Sequence, residues 1–298
     1  MTTTASAPEG VLRRLSAALF RHRGIRLWLT LSPPLAWMLL VYLVSLVLLL
    51  ATSFWRLDAL TSTIERTWGF QNYETIVGSS TYLKITLRTL GMALAVTATD
   101  LLIAFPIAFM ISRVASPRAK GLLSLLVVIP LWANYLIRVF AWRTLLAGGG
   151  PVDSLFAAIG LDSVRLAASG WAVWITFCYL WLPFAILPIA AALERVPSSY
   201  LEASADLGAH TGMTFRKVIV PLAVPGVVAG SIFTFSLTLG DYLTPTLVGK
   251  ELFLGNAISS LTGTANNKPL AAAIAVIPIL IVVVYLSLAK RSGAFEAL

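Results

Sequence analysis

The sequence predicts an all-α polytopic membrane protein with about six transmembrane helices. Three observations carry that expectation. Of 298 residues, 58% are hydrophobic and 12% charged, with a mean hydropathy of +0.86, whereas a soluble domain carries about 25% charged residues. Six apolar stretches each approach or exceed the roughly 20 residues that a helix needs to cross a hydrocarbon core. Backbone in lipid must also satisfy its hydrogen bonds within its own segment, so these stretches are read as helices.

The elements follow in order. Residues 1–26 form an N-terminal head, and its first ten residues, polar and small, are expected to be disordered. From Val11 to Leu27, Leu12, Leu15, Leu19 and Phe20 interleave with arginines, fitting either a basic amphipathic helix on the inner leaflet or an ordinary basic flank. The first span is placed near 31–54, inside a run uncharged from Leu27 to Trp55. That run is far longer than the roughly 7–15 residue core of a signal peptide, so it should be retained as a helix. Further spans are placed near 85–112, 121–145, 169–193, 222–243 and 269–289. Residues 27–298 are thus read as one transmembrane domain, with a polar loop at 194–222.

Six spans put both termini on one side, and the Lys/Arg distribution says which. The head, the loop at 113–120, the loop around Glu202 and the tail hold thirteen: Arg13, Arg14, Arg21, Arg23, Arg26, Arg113, Arg118, Lys120, Arg195, Arg216, Lys217, Lys290 and Arg291. The opposite loops hold six: Arg56, Arg66, Lys84, Arg165, Lys250 and Lys268. By the positive-inside rule the termini and the Glu202 loop are cytoplasmic. The formal charge of +9 is then a matter of topology and lipid, and no nucleic-acid partner is required.

Cys178 is the only cysteine, so no disulfide framework or cysteine metal site is expected, and a buried small apolar role is the ordinary reading. Gly148-Gly149-Gly150-Pro151 lacks the Gly-Lys-Ser/Thr ending of a phosphate loop and reads as a turn. Neither His22 nor His210 has metal-ligand company. No cofactor is expected on this chain.

The loop between spans four and five is the most informative segment. Pro197 should stop the preceding helix, and Ser199-Tyr200-Leu201-Glu202 matches a capping box that would start a new one. Gly208 fits the end of that helix as a left-handed cap, since glycine has no Cβ to clash there. A second short helix is expected from about Met213 to Val220, with Arg216 and Lys217 exposed and Phe215 and Val218 turned inward; Pro221 and Pro225 then mark the entry to span five. Two short helices meeting at a glycine turn make either a rigid knob for a partner's cleft or a helix lying flat between spans.

The residues of this loop resemble a known pattern. Glu202-Ala203-Ser204, then Gly208 six residues beyond Glu202, then Val218-Ile219-Val220-Pro221, is similar to the E-A-A, Gly, I-x-L-P loop of permease subunits of ATP-binding-cassette importers. Ser204 stands where Ala is usual and is equally small; Val218 and Val220 stand where Ile and Leu are favoured. The stretch from Ile129 to Trp142 and the segment Gly240-Asp241-Tyr242-Leu243-Thr244-Pro245 resemble the third and fifth spans of polyamine-type permeases (spermidine/putrescine). The resemblance implies a type I importer permease fold. It also implies an ATPase-coupling role for Glu202, Ala203, Ser204, Asp206, Gly208 and Pro221. The implied partners are a dimer of ABC ATPases that binds the ATP, a second homologous permease and an extracytoplasmic solute-binding protein. The chain itself would be no enzyme.

Ionisable groups at membrane depth are costly unless they face protein or water, so each is a candidate for the solute path. Asp241 beside Tyr242 suits an ammonium-bearing solute through charge pairing and cation–π contact; alternatively Asp241 pairs with an arginine such as Arg138. Trp132, Asn134, Tyr135 and Trp142 are candidates to line a passage, with interfacial anchoring the competing role for Trp142. Asp100 reads as a packing or pairing residue. Arg88, Arg138 and Arg143 would repel a polycation in the path unless they snorkel or pair with acids. Gly226 and Gly230 form a small-xxx-small pair for close helix packing. A secondary transporter driven by an ion gradient is the alternative of a different class. It calls for an internal repeat, and none is evident.

Overall fold

The computed structural model describes residues 23–58, 61–159 and 168–291. His22, Arg165 and most of the stretch proposed as an amphipathic helix lie outside the described residues. The chain divides into two compact units, 1–52 and 53–298. The first contains nearly all of helix α1 (Arg23–Ser53), whose portion Leu27–Ser53 is long and apolar enough to span a membrane despite Pro33 and Pro34.

In the second unit a short hairpin, β1 (Arg56–Leu57) with β2 (Ile64–Glu65), precedes α2 (Gln71–Gly78). Phe54, Trp68, Phe70 and Tyr73 stack around its base, with Asn72 donating to the carbonyls of Ser53 and Trp55 at 2.8 Å. Then come α3 (Ser80–Phe109), a π-helical turn (Met110–Val114), α4 (Pro117–Trp132), α5 (Tyr135–Leu145), α6 (Pro151–Ala158) and α7 (Gly170–Glu194). The remainder is α8 (Ser198–Asp206), α9 (Thr211–Thr214), a second π-helical turn (Phe215–Ile219), α10 (Val220–Gly240), α11 (Leu243–Val248), α12 (Leu254–Gly263) and α13 (Lys268–Arg291).

The core is a bundle of α3, α7 and α10. Phe177, Leu180, Ile189, Leu193, Phe235 and Leu239 are fully buried within it. The expected small-residue contact is present: a Cβ on Gly226 would sit 2.6 Å from the Pro188 carbonyl oxygen, and one on Gly230 3.1 Å from that of Ala185. Only glycine lets the two backbones approach so closely. Thr89, Thr97, Thr176 and Thr238 are buried and donate to the carbonyl four residues earlier at 2.7–2.8 Å, which satisfies their hydroxyls without water. Asp100 is fully buried in α3 beside the Cys178 thiol. No cation pairs with it among the described residues, so it packs rather than pairs.

Five described helices are long and apolar enough to span a membrane, and a sixth span is formed if the bent pair α4–α5 is counted as one. The span expected at 121–145 is therefore broken, with a bend of 93° between Pro117–Trp132 and Tyr135–Leu145. Ala133 and Asn134 are extended there (ψ 140° and 136°), and the Asn134 side chain accepts from the Leu136 amide at 2.9 Å. An asparagine cap starts a new helix as effectively within an apolar run as outside one. The fifth span also differs. It runs unbroken from Thr211 to Gly240, so Pro221 and Pro225 lie inside it. The residues expected to form a separate short helix are instead a π-helical turn continuous with α10. Because Pro221 has no N–H to donate to the preceding turn, the wider turn accommodates it, with the Val220 amide reaching back to the Phe215 carbonyl. The glycine stretch at 148–151 is a turn, as expected. Gly149 has φ +74° with its amide donating to Asp153 at 2.8 Å, and Pro151 opens α6.

Candidate functional site

Two regions carry the candidate residues. The first is the loop leaving α7. Pro197 (φ −66°, ψ 143°) caps α8, which starts at Ser198, and no side chain caps the helix. The expected Ser199–Glu202 capping box is thus absent. Proline's fixed φ begins the helix two residues early, which moves Ser199 inside the first turn. The far end matches expectation. Gly208 is left-handed (φ +76°), its amide donates to Ala205 O at 2.8 Å, and the Ala209 amide donates to Ser204 O at 3.0 Å. This pair of bonds is the Schellman closure, which satisfies the helix's last carbonyls.

Beyond the turn, His210 has a role the sequence did not suggest: its Nδ1 accepts from the Met213 amide at 3.2 Å and caps α9. Ser204 and Thr214 share a hydrogen bond of 2.9 Å that ties α8 to α9. Arg216 and Lys217 are exposed as expected; Phe215 packs edge-on against Phe105 and Phe109, with ring centroids 5.9 and 5.6 Å away. Glu202, Ala203, Asp206 and Leu207 are exposed and share one helical face, with Leu207 88% exposed. The arrangement is a stapled knob with a mixed acidic and apolar surface. Pro221 is not part of it and belongs to the first turn of α10.

The second region is the break in the third span. Tyr135 opens α5, and its hydroxyl donates to Asp241 Oδ2. Thr244 Oγ1 lies 2.8 Å from both the Tyr135 hydroxyl and the same carboxylate oxygen, while the amides of Leu243 and Thr244 reach Asp241 Oδ1 at 2.8 and 3.3 Å. Asp241, which ends α10, therefore accepts from the first two amides of α11, and its charge is held by hydroxyls and amides rather than by an arginine. Trp181 stacks on Tyr135 (5.9 Å between centroids, 14° between planes), and the Arg138 guanidinium lies 5.8 Å from the same ring. Nε and Nη1 of Arg138 are buried without a hydrogen-bond partner.

The structure thus brings together Asp241, Tyr135 and Arg138. Trp132 is 78% exposed, and Asn134 and Tyr242 are exposed as well; Asn134 is occupied as a cap. Trp142 packs on Tyr179 at 5.3 Å. Arg88 pairs with Glu251 at 3.0 Å, and Arg143 lies 6.0 Å from the Phe140 ring. Sequence reasoning missed Thr244 and Trp181. The Asp-x-x-Thr spacing at 241–244 is a recognisable capping pattern, whereas nothing local marks Trp181.

Comparison with known proteins decides the family. Residues 23–292 match the family described as the inner membrane component of binding-protein-dependent transport systems. This chain belongs to that family. The permease is 41% identical over 312 residues to the inner membrane ABC transporter permease protein YdcU of Escherichia coli K12, covering 100% of this chain and 99% of that protein. It is 34% identical over 257 residues to the spermidine/putrescine transport system permease protein PotB of Haemophilus influenzae, covering 83% and 87%. Its fold is shared by a chain of the bacterial alginate ABC transporter crystallised with an alginate-bound periplasmic protein (TM-score 0.72, 19% identity, 95% and 98% covered). An inward-facing methionine ABC transporter is also similar (TM-score 0.56, 19% identity, 72% and 95% covered). The permease is thus a multi-pass inner membrane subunit of an ABC importer.

Proposed function

We propose that this permease carries a polyamine-type solute, such as spermidine or putrescine, through a passage flanked by the break in its third span. The knob at Glu202, Ala203, Ser204, Asp206 and Gly208 transmits ATP-driven movement from a dimer of ABC ATPases. The observation that carries the coupling half is the Schellman-closed helix with Leu207 at its exposed tip: a rigid, protruding element can move as one body with a partner. A change that distinguishes two states must act through a contact that differs between them. The solute half is supported by the PotB relative, whose name gives spermidine and putrescine.

In this reading the chain has no nucleotide site of its own, and a second homologous permease completes the passage. An extracytoplasmic binding protein delivers the solute, and both termini face the cytoplasm. Tyr242 and Trp132 offer aromatic faces to an ammonium group, and Asp241 contributes negative potential. One observation favours a second solute class. All four donors around Asp241 come from the chain itself, while two Arg138 N–H groups lack acceptors, which suits an amino acid or derivative bearing a carboxylate.

The test is uptake of labelled putrescine into vesicles holding the full complex with its ATPase and binding protein. ATP-dependent uptake, competed by spermidine and lost in Glu202→Lys, is the expected result. Competition by amino acids alone would select the second solute class, and uptake driven by an ion gradient without ATPase would overturn the proposal.

A further inference from the structure

We infer that Arg113, helped by the Lys120–Glu194 ion pair, is a positioning clamp that fastens the base of the knob to α3 and α4, so that force on the knob reaches the break in the third span. The inference rests on the reading of the knob as the ATPase contact.

The chain connects the knob only to α7 and α10. The described contacts tie it elsewhere. Arg113 lies in the π-helical turn at the end of α3, and its Nη2 donates to the carbonyls of both Leu193 and Val196. Leu193 is in the last turn of α7, where a cation is favoured by the helix dipole. Val196 lies in the linker to α8. One guanidinium thus bridges the end of α7 and the linker that follows it. Its planar fork suits that task in a way a lysine point charge does not. Lys120, in the first turn of α4, meets Glu194 at 3.0 Å. The outgoing arm of the knob is held by α3, through Phe215 against Phe105 and Phe109. Ile111, Leu193 and Ile219 are buried in one cluster beneath these contacts.

Both arms of the knob are therefore anchored on the end of α3, and one also on the start of α4. Helix α4 runs from this clamp to Ala133–Asn134. The next residue, Tyr135, holds Asp241. The route is a continuous series of packed and hydrogen-bonded groups with a bend in it, and a contiguous route becomes a coupling claim only when perturbing it alters coupling.

The test uses the complete complex in vesicles, with solute imported per ATP hydrolysed as the readout. A structural defect that only reduced the amount of complex would leave this ratio unchanged. Arg113→Met, which keeps length and loses the donors, is expected to assemble and to lower the ratio by roughly 3- to 30-fold. Arg113→Lys should recover part of it. Lys120→Glu and Glu194→Lys should each lower the ratio by a smaller factor, about two- to fivefold for a half-exposed pair, and the two combined should restore it. A wild-type ratio in Arg113→Met would overturn the inference. If that variant does not assemble, failure of the double swap to restore the ratio would overturn it. A photocrosslinker attached at Leu207→Cys, in a Cys178→Ala background, separates the two readings. Crosslinking to the ATPase with no effect at Arg113 removes the clamp alone, and no crosslink removes the docking reading beneath it.

Discussion

The hydroxyl of Tyr135 donates to the carboxylate of Asp241, joining residues 106 positions apart at the bend in the third span. The bond sits where two helices begin, α5 at Tyr135 and α11 at Leu243. One carboxylate thereby sets the start of α11 and fixes it to α5.

Asp241→Asn tests whether that carboxylate is structural or serves the solute. The amide would present N–H groups where Tyr135 and Thr244 now donate, forcing both hydroxyls to reverse. A loss of about 1–3 kcal/mol follows from disrupting a part-buried set of this kind, read as a lower Tm of the purified chain and less assembled complex. Tyr135→Phe should lose a smaller amount, about 0.5–1.5 kcal/mol. Unchanged Tm and assembly in Asp241→Asn, with uptake reduced at low solute concentration, would instead assign the charge to the solute.

Two glycines should separate stability from coupling. Gly226→Ala places a methyl 2.5 Å from the Ala192 Cβ and 2.6 Å from the Pro188 carbonyl. Backbone must then move, and overpacking of about 1–3 kcal/mol should appear as a lower yield of folded protein. Gly208→Ala meets no atom within 4 Å but holds φ at +76°, at a cost of about 1–2 kcal/mol confined to the knob. Normal folded yield with reduced solute-stimulated ATP hydrolysis is the expected outcome. Equal losses of yield in both variants would show that the knob is part of the folding core.

Orientation is checked by thiol labelling. In a Cys178→Ala background, Ser79→Cys and Thr264→Cys should react with an impermeant reagent added from outside, and Ser116→Cys only after permeabilisation. Ser116 caps α4 within the 113–120 loop, one of the sequence segments that together hold thirteen Lys and Arg residues. Reversed labelling would invert the topology and put the knob on the outer face.

Much of the site was legible because its signals are local. Gly208 at the end of a short polar helix announces a left-handed turn, and the structure has it. Gly226 and Gly230 announce a close crossing without naming the partner helix, which is α7. Where local signals compete, the nearer constraint wins: Pro197 pre-sets the first turn of α8, and the Ser199–Glu202 pattern loses its place as a cap. Asn134 carried a usable signal as well. Within a run of apolar residues hydropathy outweighs that capping signal, and the sequence predicts a single span at 121–145 where the structure bends by 93°.

The sequence by itself determined the apolar stretches long enough to span, the loops in which positive charge gathers, and the short helix with its glycine turn between the fourth and fifth stretches. Each is a sum over neighbouring residues: apolar length against bilayer thickness, charge count against a membrane, backbone freedom at one glycine. Only the tertiary structure decided what Asp241 pairs with, that Arg113 grips the carbonyls of Leu193 and Val196, and that Trp181 lies on Tyr135. Such contacts depend on which helix faces meet, and residues 46 to 106 positions apart are brought together by packing that no local pattern encodes. A carboxylate in an apolar run must find donors or a cation, and its sequence neighbours supplied only part of the answer. The rest came from α5, which the bend at Asn134 turned towards it.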